Sequence, residues 1–436
     1  MTVNNEGIKK IILASGQCSW RKCFACGWGQ LKAPVNIDFL KKRIESESFE
    51  GYDTVKIFVS GSFLDDAQFP REFRQWLANF LKQKGIKKLV VEARPEYVTQ
   101  ENLSDFSDFD LTVGIGLECA DNEVLKKYEK GFTVEDYLKA VELLHKNGMH
   151  VRTYLMVNIP FGSVELLDRS VEFVEEHAEP GDSLVLINTF PHSKSKLFKL
   201  WVEGGWSPIT TREFEEIVSK HVEKYDNIET DSQNYLFVPK FPPEQRKLLK
   251  GANSEILNHR FFEVWQDYFQ RFYEKPKEKK WVLFLQCSFK KPYSRSKTHK
   301  AISKVLNEFP GFVSKTHLVV LSTPGVIPME FDNYYPFNAY DWPEWEETPE
   351  IKKEYVEVIS RRIKNYLSVH KYEKYFSYLK PSSETYQALK KACIELGIEL
   401  INLFDESVYE QVKDEKNPVA TKLALENLRK RISELN

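Results

Sequence analysis

The chain has 436 residues, enough for two domains with sizeable cores, and carries 62 Lys and Arg against 64 Asp and Glu. Because these charges nearly balance, a basic field over the whole molecule is excluded as the means of holding nucleic acid, and any such contact needs a local patch. No apolar run of about eighteen residues and no signal peptide ahead of the first cysteines is present, so we expect a cytoplasmic protein with no membrane contact.

The first half alternates apolar runs with amphipathic segments. Strands are predicted at 8–14, 54–59, 88–93, 111–117, 151–159 and 184–188, and helices at 36–45, 70–83 and 134–146. Near-continuous apolar strands separated by helices indicate a parallel sheet covered by helices. Six such units predict an α/β fold over residues 1–240, a partial (β/α)6 barrel of the TIM type with functional residues at the carboxyl ends of its strands.

Three of the six cysteines follow the first predicted strand with the spacing C-x4-C-x2-C, at Cys18, Cys23 and Cys26. Three thiolates on one loop can hold three irons of a cubane cluster and leave the fourth iron open. A tetrahedral zinc site needs a fourth ligand, and no Cys or His lies between Cys26 and Cys119. Three unrelated buried thiols are the other alternative, although such tight clustering at a strand end argues against it.

Polar residues also follow the later strands of this half. They are Ser60, Gly61, Ser62, Glu92, Arg94, Glu118 and Asn158. Their positions suit a polar ligand, because the carboxyl ends of parallel strands meet at one edge. The structural alternative for Ser60, Gly61 and Ser62 is a tight turn. For Glu92 and Arg94 it is a surface ion pair.

These segments follow one another as in radical S-adenosylmethionine (radical SAM) enzymes. The cysteine loop is followed by Ser60–Asp65, Val91–Glu96, Gly114–Glu118 and Lys130–Thr133. Within that superfamily the chain resembles the archaeosine-biosynthesis branch, relatives of the Elp3-type enzymes, over about residues 8–225. It departs from the commonest spacing, C-x3-C-x2-C, by one extra residue in the first gap, and the aromatic Phe24 lies one position early.

The resemblance implies a [4Fe–4S] cluster on the three loop cysteines, with S-adenosylmethionine on the open iron and the seven strand-end residues as cofactor-binding groups. It implies reductive cleavage to methionine and a 5′-deoxyadenosyl radical, which abstracts hydrogen from the substrate. An electron donor such as ferredoxin or flavodoxin supplies the electron. In the archaeosine pathway the substrate is a lysine-bearing 7-deazaguanine in tRNA, and loss of the lysine-derived carbon skeleton leaves a formamidine.

The second half has a different pattern. A short strand is predicted at 234–238, and a helical connection with a charged linker at 241–280, where the aromatic-rich helix 260–273 is expected to form core or a seam rather than a base-stacking surface. Strands at 281–285 and 399–404 and helices at 351–367 and 384–396 predict a smaller α/β domain over 281–415. Residues 416–436 predict a C-terminal helix on the surface or docked to a partner.

A compact polar set follows the strand at 281–285. It contains Cys287, Lys291, Ser296 and His299, the last opening a helix. A thiol beside several cations is expected to have a lowered pKa and to be a better nucleophile. The alternative is a basic helix start with an incidental cysteine.

The string C-x3-K-P-Y-x2-S-x2-H is similar to the catalytic domain of archaeosine synthase, as are residues 319–330, 335–336 and 340–343. That family attaches lysine to the nitrile of preQ0 in tRNA, and the similarity covers about residues 280–405. It implies Cys287 as nucleophile, with Lys291, Ser296 and His299 arranging charge and protons and Asp341 as a base or amine ligand. The chain departs at Gln286, where the family usually has Pro. It also lacks the family's transglycosylase-like and PUA portions, so a separate tRNA-binding synthase or transglycosylase subunit is an expected partner.

Together the two resemblances predict a radical SAM enzyme of tRNA archaeosine biosynthesis. It would cleave a lysine–preQ0 adduct in tRNA, with a C-terminal domain that forms or holds the adduct and lysine as co-substrate. The first alternative is a radical SAM enzyme acting on another tRNA base or a small molecule, with the C-terminal domain as a non-catalytic docking module. A zinc-binding module is the weaker second alternative.

Overall fold

The computed structural model describes residues 7–233 and 238–435. The chain divides into two compact units, Met1–Leu236 and Phe237–Asn436. Most of the predicted short strand at 234–238 lies outside the described residues. No helix in the described part of the chain is long and apolar enough to cross a membrane.

The first unit is built on one parallel sheet whose strands lie in chain order. The strands are β1 (Ile8–Leu13), β2 (Thr54–Val59), β3 (Lys88–Glu92), β4 (Asp110–Glu118), β5 (His150–Val157), β6 (Ser183–Asn188) and β7 (Ile228–Asp231). Every neighbouring pair is parallel, so each connection crosses over the sheet. The α/β partial barrel predicted from the sequence is confirmed, with seven strands in the sheet rather than six.

Helices occupy the crossovers of the first unit. They are α1 (Ile37–Glu45), α2 (Arg71–Gln83), α3 (Gln100–Ser104), α4 (Asn122–Lys127), α5 (Val134–Lys146), α6 (Val164–Glu176), α7 (Lys196–Val202) and α8 (Thr211–Lys224). Capping boxes begin α5 at Thr133 and α8 at Thr210, where the hydroxyl and a carboxylate three residues on satisfy the first backbone N–H groups.

Strand β5 shows how the sheet separates its two faces. Val151, Thr153 and Leu155 are buried, and the Thr153 hydroxyl lies 2.6 Å from the Tyr137 hydroxyl of α5. The alternate residues are only half-buried. Because side chains alternate along a strand, this second set faces away from the helices and forms the inner wall of the partial barrel.

The second unit contains a five-stranded sheet and a two-stranded pair. Its strands are β8 (Leu249–Lys250), β9 (Trp281–Gln286), β10 (Thr316–Ser322), β11 (Gly325–Pro328), β12 (Tyr340–Asp341), β13 (Lys374–Tyr378) and β14 (Leu400–Asn402). The large sheet has the order β11-β10-β9-β13-β14, with only β11 antiparallel, and β8 pairs with β12.

The helices of the second unit include segments predicted to lie outside its core. They are α9 (Ser254–Leu257), α10 (Arg260–Arg271), α11 (Lys297–Leu306), α12 (Pro310–Lys315), α13 (Pro349–Val369), α14 (Glu384–Glu395), α15 (Glu406–Val412) and α16 (Lys422–Ser433). Trp265 of α10 is fully buried and donates its indole N–H to the Tyr335 carbonyl at 3.0 Å. Leu428 and Ile432 of α16 are also fully buried. Residues 241–280 and the C-terminal helix are therefore parts of this unit, and the unit itself covers the apolar face of α16.

Candidate functional sites

A cavity of about 330 Å³ lies at the carboxyl ends of the strands in the first unit. The three loop thiols of Cys18, Cys23 and Cys26 line it, as do residues that end strands β2, β3, β4 and β6. This is the edge of a parallel barrel where functional groups from separate strands converge. The structure therefore brings the cysteine loop and several of the predicted strand-end residues into one site.

Each loop thiol has a hydrogen-bond donor beside it. The Arg21 N–H lies 3.4 Å from the Cys18 sulfur and the Gly29 N–H lies 3.3 Å from the Cys26 sulfur. A guanidinium nitrogen of Arg94 lies 3.9 Å from the Cys23 sulfur. Donors aimed at ligand sulfurs are one means by which a protein stabilises and tunes an iron–sulfur cluster.

Burial raises the pKa of the Cys23 and Cys26 thiols and so disfavours their thiolate forms. A bound metal ion has the opposite effect, because its positive charge favours the thiolates that ligation requires. Among the described residues, no three His, Cys, Asp or Glu side chains converge closely enough to hold a single metal ion. A cubane cluster binds each thiolate through a different iron, so its three thiols need not meet at one point. Their placement around one cavity fits such a cluster.

A buried ion pair lies on the wall of this cavity. Glu118 ends β4 with a φ of 71°, and its Oε1 accepts a hydrogen bond from the Lys130 ammonium. Both side chains are only 9% exposed. Oε2 of Glu118 is buried with no hydrogen-bond partner among the described residues. An unpaired buried acceptor is costly, and a hydroxyl or amino group of a bound molecule would satisfy it.

Glu92 lines the same cavity from the end of β3. Its Oε2 accepts the Val59 N–H at 3.2 Å. Burial raises the pKa of Glu92 to about 7, while the hydrogen bonds from Val59 and Tyr154 act in the opposite direction. The carboxyl group can therefore exchange a proton near neutral pH.

The residues of the predicted Ser60–Ser62 turn have two different roles: two line the cavity, and the third holds the loop in place. Ser60 and Gly61 line the cavity, whereas Ser62 is fully buried. Ser62 donates its N–H to Oε1 of Gln68 at 2.8 Å and accepts the Arg94 N–H on its hydroxyl at 3.3 Å. A Cβ on Gly61 would lie 2.1 Å from the same Gln68 oxygen. This glycine therefore makes room for Gln68, and Ser62 holds the loop in place instead of reaching the cavity.

Asn158 is the other predicted cofactor residue that does not line the cavity. Its side-chain amide donates to the Ser207 carbonyl at 2.9 Å, and its own carbonyl accepts the Trp206 indole N–H at 3.0 Å. Asn158 has a φ of 61°, so the chain turns sharply just after β5. Asn158 therefore has a structural role: it holds the segment at Trp206 and Ser207 against the end of β5.

Asn188 and His192, on later segments, also line the cavity and were not predicted from the sequence. Asn188 ends β6 and donates its amide to the carbonyls of Ile209 and Ser232 at 3.2 and 3.4 Å. Its Oδ1 is buried without a partner among the described residues, so it offers a second acceptor. Its strand-end position could have signalled it. The ring of His192 fills the space beside Gly27. His192 does not end a predicted strand, so its position in the sequence does not indicate that it lines the cavity.

A second cavity, of about 740 Å³, lies at the carboxyl edge of the five-stranded sheet. From β9 the chain moves to β10 on one side, and it later returns to β13 on the other. Ligands bind at such switch points in open α/β sheets. Cys287, directly after β9, and Lys380, soon after β13, both line the cavity.

The expectation of a lowered pKa for Cys287 is wrong. Burial raises the pKa of this thiol, and the Ser322 hydrogen bond and the positive charge of Lys291 only partly oppose that effect. Lys291 lies over the Tyr340 ring at 4.0 Å, and burial lowers the pKa of its ammonium group. The effect of desolvation on the pKa of Cys287 is therefore larger than the effect of the neighbouring positive charges. Asp341 also lines the cavity, 3.8 Å from the Lys250 ammonium.

Ser296 and His299, both predicted as catalytic, are buried and do not line the cavity. The Ser296 hydroxyl caps α11 by accepting the His299 N–H at 3.1 Å. Nε2 of His299 donates to the Gln286 carbonyl at 2.8 Å. These two side chains therefore fix the start of a helix and the end of β9, directly before Cys287.

A row of hydroxyl groups behind Cys287 was not foreseen. The Tyr293 and Tyr340 hydroxyls lie 2.5 Å apart, and the Tyr340 hydroxyl also bonds to that of Ser322. Ser322 ends β10, so the strand-end rule could have identified it. Tyr293 and Tyr340 lie in the two motifs that resemble archaeosine synthase, but neither was assigned a role from the sequence.

Residues 23–174 match the radical SAM superfamily. The first unit contains a radical SAM domain. Enzymes of this superfamily use a [4Fe–4S] cluster and S-adenosylmethionine. Cys23 and Cys26 lie inside the matched range and Cys18 just before it.

The chain is also similar to archaeosine synthase subunits. It is 31% identical over 215 residues to archaeosine synthase subunit beta of Methanosarcina acetivorans, covering 45% of this chain and 62% of that protein. It is 30% identical over 141 residues to archaeosine synthase subunit alpha of Thermoplasma acidophilum, covering 31% of this chain and 26% of that one. The chain thus spans less than two thirds of these relatives.

Residues 262–432 match a domain of unknown function, DUF5591. Among solved structures, Elp3 of Methanocaldococcus infernus is similar at 17% identity with a TM-score of 0.39, covering 63% of this chain and 70% of that one.

The described residues fit the two cofactors of a radical SAM domain. Cys18, Cys23 and Cys26 would hold the cluster, each beside a donor to its sulfur. The unpaired acceptors on Glu118 and Asn188 lie in the same cavity and suit the hydroxyl and amino groups of S-adenosylmethionine.

Proposed function

We propose that the chain is a radical SAM enzyme of tRNA archaeosine biosynthesis. It cleaves a lysine–preQ0 adduct in tRNA to archaeosine, and its second unit forms or holds the lysine adduct. The observation that carries the proposal is the cysteine loop lining a cavity with unpaired buried acceptors, in a chain similar to archaeosine synthase subunit beta.

The radical step depends on the first cavity. When bound, the cluster and S-adenosylmethionine supply the radical that abstracts hydrogen from the substrate. The chain's own contribution is placement: Glu118 and Asn188 accept hydrogen bonds from bound hydroxyl or amino groups. Glu92 can take or give a proton beside them, because burial brings its pKa to about 7.

The adduct step is assigned to the second cavity. The Cys287 sulfur attacks the nitrile carbon of preQ0, forming a C–S bond as the nitrile nitrogen takes up a proton. The lysine amine then adds to the same carbon, and the C–S bond breaks to return the thiol. Because burial raises the pKa of Cys287, the thiol needs a base, and Asp341 is the carboxylate proposed for that role.

One observation favours a second candidate. A thiol whose pKa is raised by burial is a weaker nucleophile at neutral pH. The second unit would then present tRNA without chemistry, and the radical SAM domain would act on another tRNA base or on a small molecule.

The test is anaerobic reconstitution of the chain with S-adenosylmethionine, a chemical reductant, lysine and preQ0-containing tRNA, followed by nucleoside mass spectrometry. An archaeosine synthase alpha-type subunit is added in a parallel reaction as the proposed partner. Archaeosine in either reaction supports the proposal, and its absence from both contradicts the proposed radical step.

Matched cysteine variants separate the two sites. Cys287→Ala is expected to abolish the lysine adduct, whereas Cys393→Ala, a buried helix cysteine of the same unit, keeps it. Supplied with a preformed adduct, Cys287→Ala should still yield archaeosine and Cys23→Ala should not. Normal adduct formation by Cys287→Ala would favour the docking role.

A further inference from the structure

We propose that the second unit binds an unpaired base of an RNA strand at the rim of its cavity, with the strand's phosphates held by the lysines that follow Cys287. This inference deepens the proposed function, since it rests on tRNA being the substrate. It names the residues that would grip the RNA.

The first support is a local concentration of positive charge. Residues 287–307 contain six Lys and Arg and no Asp or Glu, although the whole chain is nearly neutral. Five of the six cations, all except Lys291, are exposed. An RNA strand binds largely through its phosphates, so a patch of this kind is the electrostatic feature it requires.

Helix α11 arranges half of these cations on one face. Lys297, Lys300 and Lys304 have the spacing i, i+3, i+7, and all three are exposed. None forms an ion pair with a described residue, and the next carboxylate, Glu308, is taken by Arg429 at 2.7 Å. Like charges at this spacing repel one another, so an anionic partner would relieve the repulsion.

The second support is a pair of exposed aromatic rings. Phe289 is 83% exposed and Trp345 is 76% exposed, and both line the cavity that contains Cys287. Large rings in water at the mouth of a cavity mark a binding surface. Unpaired RNA bases stack on such rings, and this contact is nearly independent of base identity.

The cavity between the rings favours a base over other anionic partners. Asp341 and Glu344 line it, and Glu344 has no ion pair among the described residues. Carboxylates accept hydrogen bonds from the N–H groups of a base edge. Lys291, Lys352 and Lys380 line the cavity too, so it offers both donors and acceptors, as a base edge requires. Exposed cations in the segment after Cys287, exposed rings lining the cavity and polar groups inside it match a phosphate, a base face and a base edge.

The test measures binding by the full chain, without chemistry. The probe is a short unstructured fluorescein-labelled RNA, compared with its abasic counterpart by fluorescence anisotropy. Phe289→Ala and Trp345→Ala are each expected to weaken binding of the RNA roughly ten-fold and to leave binding of the abasic strand unchanged. Trp345→Phe should restore most of the loss. Phe39→Ala, an exposed aromatic of the first unit, is the matched control and should bind like wild type.

Salt dependence tests the lysine face separately. Lys297→Ala and Lys300→Ala are each expected to weaken both strands and to lower the slope of log affinity against log salt by about 0.7. Lys374→Ala, an exposed lysine at the opposite edge of the same sheet, should leave the slope unchanged.

The inference is overturned if the aromatic variants bind the RNA as wild type does, or lose the abasic strand equally. Competition by polyglutamate or by phosphatidylserine vesicles as strong as competition by unlabelled RNA would also overturn it. The binding result is separate from the proposed function: base-dependent binding without archaeosine production would refute the reaction alone, and archaeosine production without rim-dependent binding would refute this inference alone.

Discussion

The Arg94 guanidinium joins the cysteine loop to a neighbouring turn. One terminal nitrogen lies 3.9 Å from the Cys23 sulfur, and the other donates to the Lys130 carbonyl at 3.0 Å. The same group lies over the ring of Trp20 within the loop, 5.3 Å from its centroid. Arg94 thus fixes the position of one thiol relative to β3.

Replacing Arg94 tests this relationship. Arg94→Lys keeps the charge but loses the planar fork that makes both contacts, so cluster affinity should fall about ten-fold. The measurement is iron retention by the reconstituted chain during titration with a chelator. Arg212→Lys, an exposed arginine on α8, is the control. Retention by Arg94→Lys equal to wild type would show that Arg94 has no part in holding the cluster.

The Glu118–Lys130 pair gives a second prediction, on the chain without cofactors. Glu118→Leu leaves the Lys130 ammonium buried without its carboxylate, which should destabilise the chain by about 3 kcal/mol in chemical unfolding. Glu118→Leu combined with Lys130→Met removes both charges and should recover most of that stability.

Affinity for S-adenosylmethionine separates the two roles of Glu118. Because the unpaired Oε2 is lost in both variants, each should bind this cofactor at least ten-fold more weakly than wild type by calorimetry of the cluster-loaded chain. A double variant with wild-type affinity would mean that Glu118 is only a structural partner of Lys130.

His299 predicts a pH dependence of stability. Burial lowers the pKa of this histidine, which donates to the Gln286 carbonyl in its neutral form. The unfolded chain, with a histidine pKa near 6.5, therefore takes up the proton first. Stability from this group is present above about pH 6.5 and is lost as the pH falls below it, by at most about 1.4 kcal/mol per pH unit.

The measurement is urea unfolding of the full chain at about pH 7.5 and about pH 5.5. Wild type should lose more stability between the two than His299→Gln does. His177→Gln, at an exposed histidine of the first unit, should retain the wild-type difference. An undiminished pH dependence in His299→Gln would remove the assigned role.

The strands that define the first unit could be predicted because they are apolar runs between amphipathic helices. Strand β7 could not, since Ile228–Asp231 contains one apolar residue among four and two carboxylates. It is held by pairing with β6, and Glu229 is held by Arg152 of β5. Strand β7 therefore forms because of contacts with residues that are distant in the sequence, and not because of its own residue pattern.

Site residues were predictable where position along a strand decides the outcome. Glu92, Arg94 and Glu118 line the first cavity because they end parallel strands or lie within two residues of a strand end. Ser62 was assigned from its strand-end position and His299 from the resemblance to archaeosine synthase, and neither lines the two cavities described above. Ser62 bonds to the Gln68 side chain, six residues away, and His299 to the Gln286 carbonyl, thirteen residues away. These hydrogen bonds give both residues a structural role. Side-chain direction in a loop depends on these contacts and not on spacing.

The central claim is that Cys18, Cys23 and Cys26 together hold an iron–sulfur cluster. Its most direct test is iron and sulfide analysis with visible absorption on the anaerobically reconstituted chain, for wild type and for alanine variants of all six cysteines. The account predicts about four irons per wild-type chain, loss of the cluster in each of the three loop variants, and full retention in Cys119→Ala, Cys287→Ala and Cys393→Ala. A colourless, iron-free wild-type chain, or one carrying a single zinc ion, would contradict it.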